Sequence, residues 1–244
     1  MSLRNFWRKG APYLLIFWAA SVVAGESGCQ ALPHGFGPFD YRNPQPDQIR
    51  MVEGAHFFPN VENLREGTVH PNRGYIVVPG DEIDYTLRAY PNHHRALMAA
   101  SRLAVRDKVE RPKGFKTSID CYFKLAMEFK SDDSMVPLIY GIHLSKTGRM
   151  AEAIEYFDRA KALGDDSANL HYNLGLAYFQ AKRYPEALEA AHKAYAAGFP
   201  LAGLKNMLVR SGQWKDPVPA PPSDEKAGKS EPTVAPTPEP TAEK

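Results

Sequence analysis

Cysteine is scarce: Cys29 and Cys121 are the only two in 244 residues. Two thiols rule out a Cys-rich zinc site and a disulfide-dense small scaffold. No G-x-S-x-G elbow and no phosphate loop occurs, so the common sequence marks of a serine hydrolase or a P-loop enzyme are missing. Neither sign of charge prevails, with 30 Lys and Arg against 28 Asp and Glu. The basic footprint of a nucleic-acid binder is therefore missing. There is one long apolar run, residues 11–25, and no second of membrane length follows it. That excludes a chain that threads the bilayer repeatedly as helices.

Both ends stand apart from the middle. Arg4, Arg8 and Lys9 precede the apolar run of 15 residues. The run is shorter than the roughly 20 residues a spanning helix needs, and it fits the core of a secretory signal. Val23 and Gly25 suit the small pockets of signal peptidase, so residues 1–25 are predicted to be removed. An uncleaved anchor and a lipidated Cys29 are the alternatives, the second weakened by Glu26 where a lipobox needs an aliphatic residue. Cleavage removes three positive charges and shifts the net charge from +2 to −1. The expected compartment is periplasmic or secreted. There a lone pair of cysteines is expected to bond, Cys29 to Cys121. At the other end, Pro217–Lys244 has eight prolines in 28 residues and no aromatic side chain. Such a composition buries too little apolar surface to fold, so residues 215–244 are expected to form a disordered, proline-rich tail.

Two stretches repeat at a spacing of 34 residues: Gly141 recurs as Gly175, Ala153 as Ala187 and Ala160 as Ala194. Ile139, Tyr140 and Leu144, then Ala153, Ile154, Phe157 and Ala160, follow helical intervals. Helices are predicted over 135–147, 150–163, 168–181 and from Arg183-Tyr184-Pro185 onward, with a capping helix in 202–214. A degenerate unit precedes them, because Phe123 lies 34 residues before Phe157 and Ala126 lies 34 before Ala160. Its helices are expected at 92–106 and 118–130.

This motif resembles the tetratricopeptide repeat (TPR), whose units are 34-residue helical hairpins. The small residues carry the likeness, since Gly141, Gly175, Ala153 and Ala187 let paired helices approach closely. Pro137, in place of a large aromatic, and Ala191, in place of the bulky residue held by Phe157, depart from the pattern. The resemblance implies an all-α fold: a short TPR solenoid of units 92–133, 134–167 and 168–201. The wider arrangement is similar to exported bacterial members of the family. Such scaffolds bind polypeptides and rarely catalyse, so a protein or peptide partner is expected, with no enzyme activity and no cofactor. The likeness also implies that helix A of each unit lines a concave face. The inward positions are then Met135, Leu138, Ile142 and Ser145, followed by Asn169, Tyr172, Leu176 and Phe179, with Asn173 just beyond. Asn169 and Asn173 would bond a peptide backbone. The family's carboxylate-clamp ligands are rejected, because Leu138 and Ile142 occupy positions that need polar side chains.

Residues 26–91 follow no repeat. Proline and glycine recur, so long helices are not expected. Asn60–Arg65 reads as a short helical turn, and Tyr75–Val78 and Ile83–Leu87 as extended. Eight aromatic residues, Phe36 to Tyr90, argue that this extension packs onto the repeats, where it is a candidate to fill the concave face. The rival reading is an envelope enzyme or metal-binding protein using His56 and His93. Against it, His93 and His94 are adjacent and would project differently from a helix, and no metal site is predicted. Asp81, Glu82 and Asp84 are read as an acidic turn after Pro79-Gly80, the alternative being a carboxylate cluster for acid–base or calcium chemistry.

Overall fold

The computed structural model describes residues 28–217, so the predicted signal segment and most of the proline-rich tail lie outside it. The described chain is all-α, with ten helices and one isolated antiparallel bridge between Val69 and Ile76. The helices are α1 Pro46–His56, α2 Pro59–Glu62, α3 Pro79–Ala89, α4 His94–Asp107, α5 Ile119–Phe129, α6 Met135–Lys146, α7 Met150–Ala162, α8 Ala168–Gln180, α9 Tyr184–Ala196 and α10 Gly203–Arg210. The folded unit runs through Trp214.

The 34-residue period becomes two helix pairs, α6 with α7 and α8 with α9. In each pair a three-residue turn reverses the chain. Gly148 takes φ +83° in the first turn, and Lys182, at the equivalent position, takes φ +59°. Gly141 lies directly beneath the buried Phe157 ring, and a Cβ there would sit 2.6 Å from it. Gly175 is similarly crowded by Leu204, Ala190 and Ala187. Ser118 and Ser167 cap α5 and α8, accepting from the backbone N–H of Cys121 and Leu170. Each helix packs on its successors: α4 on α5 and α6, α6 on α7 and α8, and α10 on α8 and α9. A continuous apolar core from Phe57 to Ala177 runs beneath them.

The extension differs from its expected irregular form. Three helices occupy it, and Ile83–Leu87 is helical rather than extended. The prolines do not break these helices because Pro46, Pro59 and Pro79 sit in first turns, where the N–H lost to proline would have no intrahelical partner. Ile83 and Leu87, one helical turn apart, are both buried. Ahead of α1, Phe36, Phe39 and Tyr41 pack on Val52, Ala89 and Tyr90. The segment thus lies on α1, α3 and the start of α4. The predicted Cys29–Cys121 disulfide is present, with Cα atoms 5.6 Å apart, and fastens the start of the segment to α5. Closing a loop of this length removes about 4–5 kcal/mol of unfolded-state entropy in the chain-entropy model.

Two substitutions test this packing. Gly141→Ala gains about 1 kcal/mol of helix propensity but forces a methyl group against a ring that cannot swing outward. We expect a net loss of about 1–2 kcal/mol in urea unfolding. Lys182→Gly removes a left-handed side-chain conformation and should raise stability by about 1 kcal/mol; an unchanged midpoint would contradict the assigned turn.

Candidate functional site

The nine predicted face residues divide by helix, and on α6 Ser145 is half-buried. Leu138 and Ile142 are core residues, 1% and 8% exposed, on α6, a helix that packs against α4 and α5. They offer no surface to a ligand. Met135 at the start of α6 is 37% exposed. On α8, Asn169 is exposed, while Tyr172, Asn173, Leu176 and Phe179 are half-buried. Tyr172 stacks on Phe199 at 4.0 Å, and Leu176 and Phe179 lean on Ala187, Ala191, Leu204 and Leu208. The Asn173 amide donates to the Asn169 backbone and side-chain oxygens, both at 2.9 Å. The accessible part of the face is therefore confined mainly to α8. The N-terminal aromatic cluster packs around Val52, Ala89 and Tyr90, in a cluster separate from the one that Tyr172, Leu176 and Phe179 join.

His56, His93 and His94 each meet a carboxylate from another element. His56 Nδ1 lies 2.5 Å from Glu82 Oε2, and Tyr75 donates to the other Glu82 oxygen at 2.6 Å. Burial alone would push Glu82 upward; these hydrogen bonds outweigh it and hold the carboxyl below its ordinary value. His93 is fully buried as the N-cap of α4. Its Nδ1 accepts from Ala96 N–H at 3.2 Å, so Nε2 carries the proton that bonds Glu53 at 3.0 Å. Tyr41 stacks on the ring at 4.0 Å. His94 turns the other way, to Asp133 at 2.9 Å. The adjacent histidines thus diverge, as their helix position predicted. Among the described residues no three His, Cys, Asp or Glu side chains converge as metal ligands.

Asp81, Glu82 and Asp84 form neither a turn nor a cluster. They lie in the first turn and a half of α3, where negative charge complements the helix dipole. Glu82 faces His56, and Asp84 faces Arg88 and Tyr122.

A second place drew no attention in the sequence. Between the end of α4, the start of α5 and the α6–α7 turn lies a cavity of about 410 Å³. Asp120, His143 and Arg149 line it, with Lys108 and Lys146 also on its surface. Arg149 donates to Asp120 Oδ2 at 2.5 Å and to both Glu152 oxygens at 2.7 Å. His143 is 5% exposed, and burial holds its imidazole below the ordinary value. The available signal was a histidine within the apolar run Leu138–Leu144, where a polar side chain needs a partner. Its partners are too far away in sequence for spacing to reveal them. The chain matches no protein-family model and no curated protein.

The buried histidines make the fold acid-sensitive. Burial lowers His93 from its ordinary 6.5, so the unfolded chain takes up that proton first as pH falls. The stability it contributes is complete above about pH 6.5 and declines below it, toward the lowered folded value; His143 acts in the same direction. Urea midpoints measured from about pH 8 to about pH 5 should fall through this window. His93→Asn, which retains a capping oxygen, should flatten part of the slope. Midpoints that do not move with pH would refute the assignment.

Proposed function

We propose that this chain is an exported, TPR-type scaffold that binds a protein partner through the accessible side chains of α8. The observation that carries the reading is the equivalence of α6–α7 and α8–α9: the same 34-residue spacing, the same three-residue turn and the same close approach at Gly141 and Gly175. Repeats of this kind bury their faces by stacking and leave one extended surface for recognition. Asn169, Asn173, Tyr172, Leu176 and Phe179 combine amide groups with half-buried apolar area, which suits an extended peptide that needs backbone hydrogen bonds and side-chain contact. Met135 is exposed at the start of α6; Leu138 and Ile142 do not contribute to the surface.

The compartment forms part of the proposal. A disulfide closing a loop of 92 residues is favoured where glutathione does not keep thiols reduced. That bond and the leader-like residues 1–25 support a periplasmic or secreted location. His56 and His93 are structural in this reading, since each is already engaged by a carboxylate and stacked on a ring.

A photo-crosslinking residue placed at Asn169 in cells should capture a discrete protein partner. The same residue at Glu155, exposed on α7, should not. Equal capture at both positions, or none at Asn169, would remove the α8 surface from consideration. Thiol alkylation of the same material should label Cys29 and Cys121 only after reduction; labelling before reduction would refute the compartment.

A further inference from the structure

The cavity beside His143 has a floor whose hydrogen bonding can be assigned atom by atom. Ser101 Oγ, on α4, lies 3.0 Å from His143 Nδ1. Ser101 is 1% exposed, and its hydroxyl has no other hydrogen bond among the described residues. A buried hydroxyl proton without an acceptor costs about 1–3 kcal/mol. The hydroxyl therefore donates to Nδ1, and the neutral imidazole carries its own proton on Nε2. That N–H belongs to a side chain 95% buried that lines the cavity. The nearby Asp120 Oδ1 is 3.7 Å away, outside hydrogen-bond reach. The other Asp120 oxygen is occupied by Arg149. A donor and an acceptor thus stand side by side on the floor without satisfying each other.

The rest of the cavity has complementary chemistry. Lys108 and Lys146 are exposed and have no ion-pair partner among the described residues. One wall is apolar, formed by Ala104, Val105 and Val109. A simple anion bonded to His143 would approach the Asp120 carboxylate. A simple amine bonded to Asp120 would approach the lysines and Arg149. A molecule carrying both charges on one carbon avoids both conflicts.

We propose that this cavity binds a free α-amino acid with a small aliphatic side chain. Its carboxylate accepts from His143 Nε2–H and pairs with the lysines. Its ammonium donates to Asp120 Oδ1, and its side chain lies on the apolar wall. The site uses none of the α8 face residues, so it stands or falls independently of the partner-binding proposal.

The test is calorimetric titration of the full chain with L-valine, isovalerate and isobutylamine, the last two each lacking one of valine's charged groups. Valine should bind, and the two fragments should bind at least about tenfold more weakly. Lys146→Ala, an exposed change with no packing cost, should weaken valine binding about fivefold or more while the thermal midpoint stays put. Asp120→Asn should erase the preference for valine over isovalerate. If that variant is unfolded, the ligand comparison and Lys146→Ala still decide. Equal binding of valine and isovalerate would make this a plain anion site and overturn the proposal. Absence of valine binding in the tens of millimolar would overturn it as well, leaving a water-filled cleft.

Discussion

One buried amide joins three stretches of this chain that are distant in sequence. Asn92, wholly inaccessible, accepts from Tyr41 N–H and donates to Asp40 and to Asp133, each bond between 2.8 and 2.9 Å. It thereby links the aromatic segment, the α3–α4 connection and the α5–α6 connection. Asp133 is itself buried, and His94 and the Met135 N–H complete its shell. Arg42 closes the outside by bridging Asp40 and Asp132. A carboxylate in such a place is tolerable only when fully hydrogen-bonded. Removing the Asn92 amide would leave Asp40, Asp133 and the Tyr41 N–H short of partners together. That makes the junction stiff, and the stacked helices receive the N-terminal segment in a defined place because of it.

The same device recurs at smaller scale. His56 with Glu82, His93 with Glu53, His94 with Asp133, and His171 with Asp166 all join an imidazole to a carboxylate, three of the four across different helices or loops. An apolar contact of equal area tolerates sliding, whereas these pairs fix distance and ring orientation. The first two hold α1, in the non-repeating part of the chain. There, the short helices α1 to α3 have no regular neighbour to set their angle. In the repeated half, close approach at glycine and alanine sets it instead.

How much of this was legible in sequence follows from where the information sits. Gly141 and Gly175 announce the hairpins because helix approach imposes the same demand at the same offset. The disulfide was legible because two cysteines leave one pairing. Helices α1 and α3 were not, because Pro46 and Pro79 read as breakers unless the first turn is known to begin there. Ile83–Leu87 alternates apolar and polar residues in a way that suits a strand; the residues buried are Ile83, Asp84, Thr86 and Leu87, with Tyr85 only half-buried, which is helical spacing and not alternation. Leu138 and Ile142 sit at the motif's inward positions, yet α4 and α5 cover them; a single repeat's register cannot reveal what its neighbour hides. The cavity was invisible for the same reason, since Ser101, Asp120, His143 and Arg149 come from three helices and a turn.

That cavity exists because one hairpin is imperfect. In the pairs α6–α7 and α8–α9 a three-residue turn brings the helices together over nearly their whole length. Between α4 and α5 the chain takes eleven residues, Lys108 to Ser118, including Pro112 and Gly114, where φ is +97°. Gly114 is pressed against the backbone of Gly80 and Asp81, so the loop is drawn toward α3. Its ends, residues 108–110 and Ser118, line the gap together with His143 and Lys146 from α6 and Arg149 from the α6–α7 turn. The longer connection leaves a polar floor open to solvent, and it does so at the point where the repeated and non-repeated halves meet.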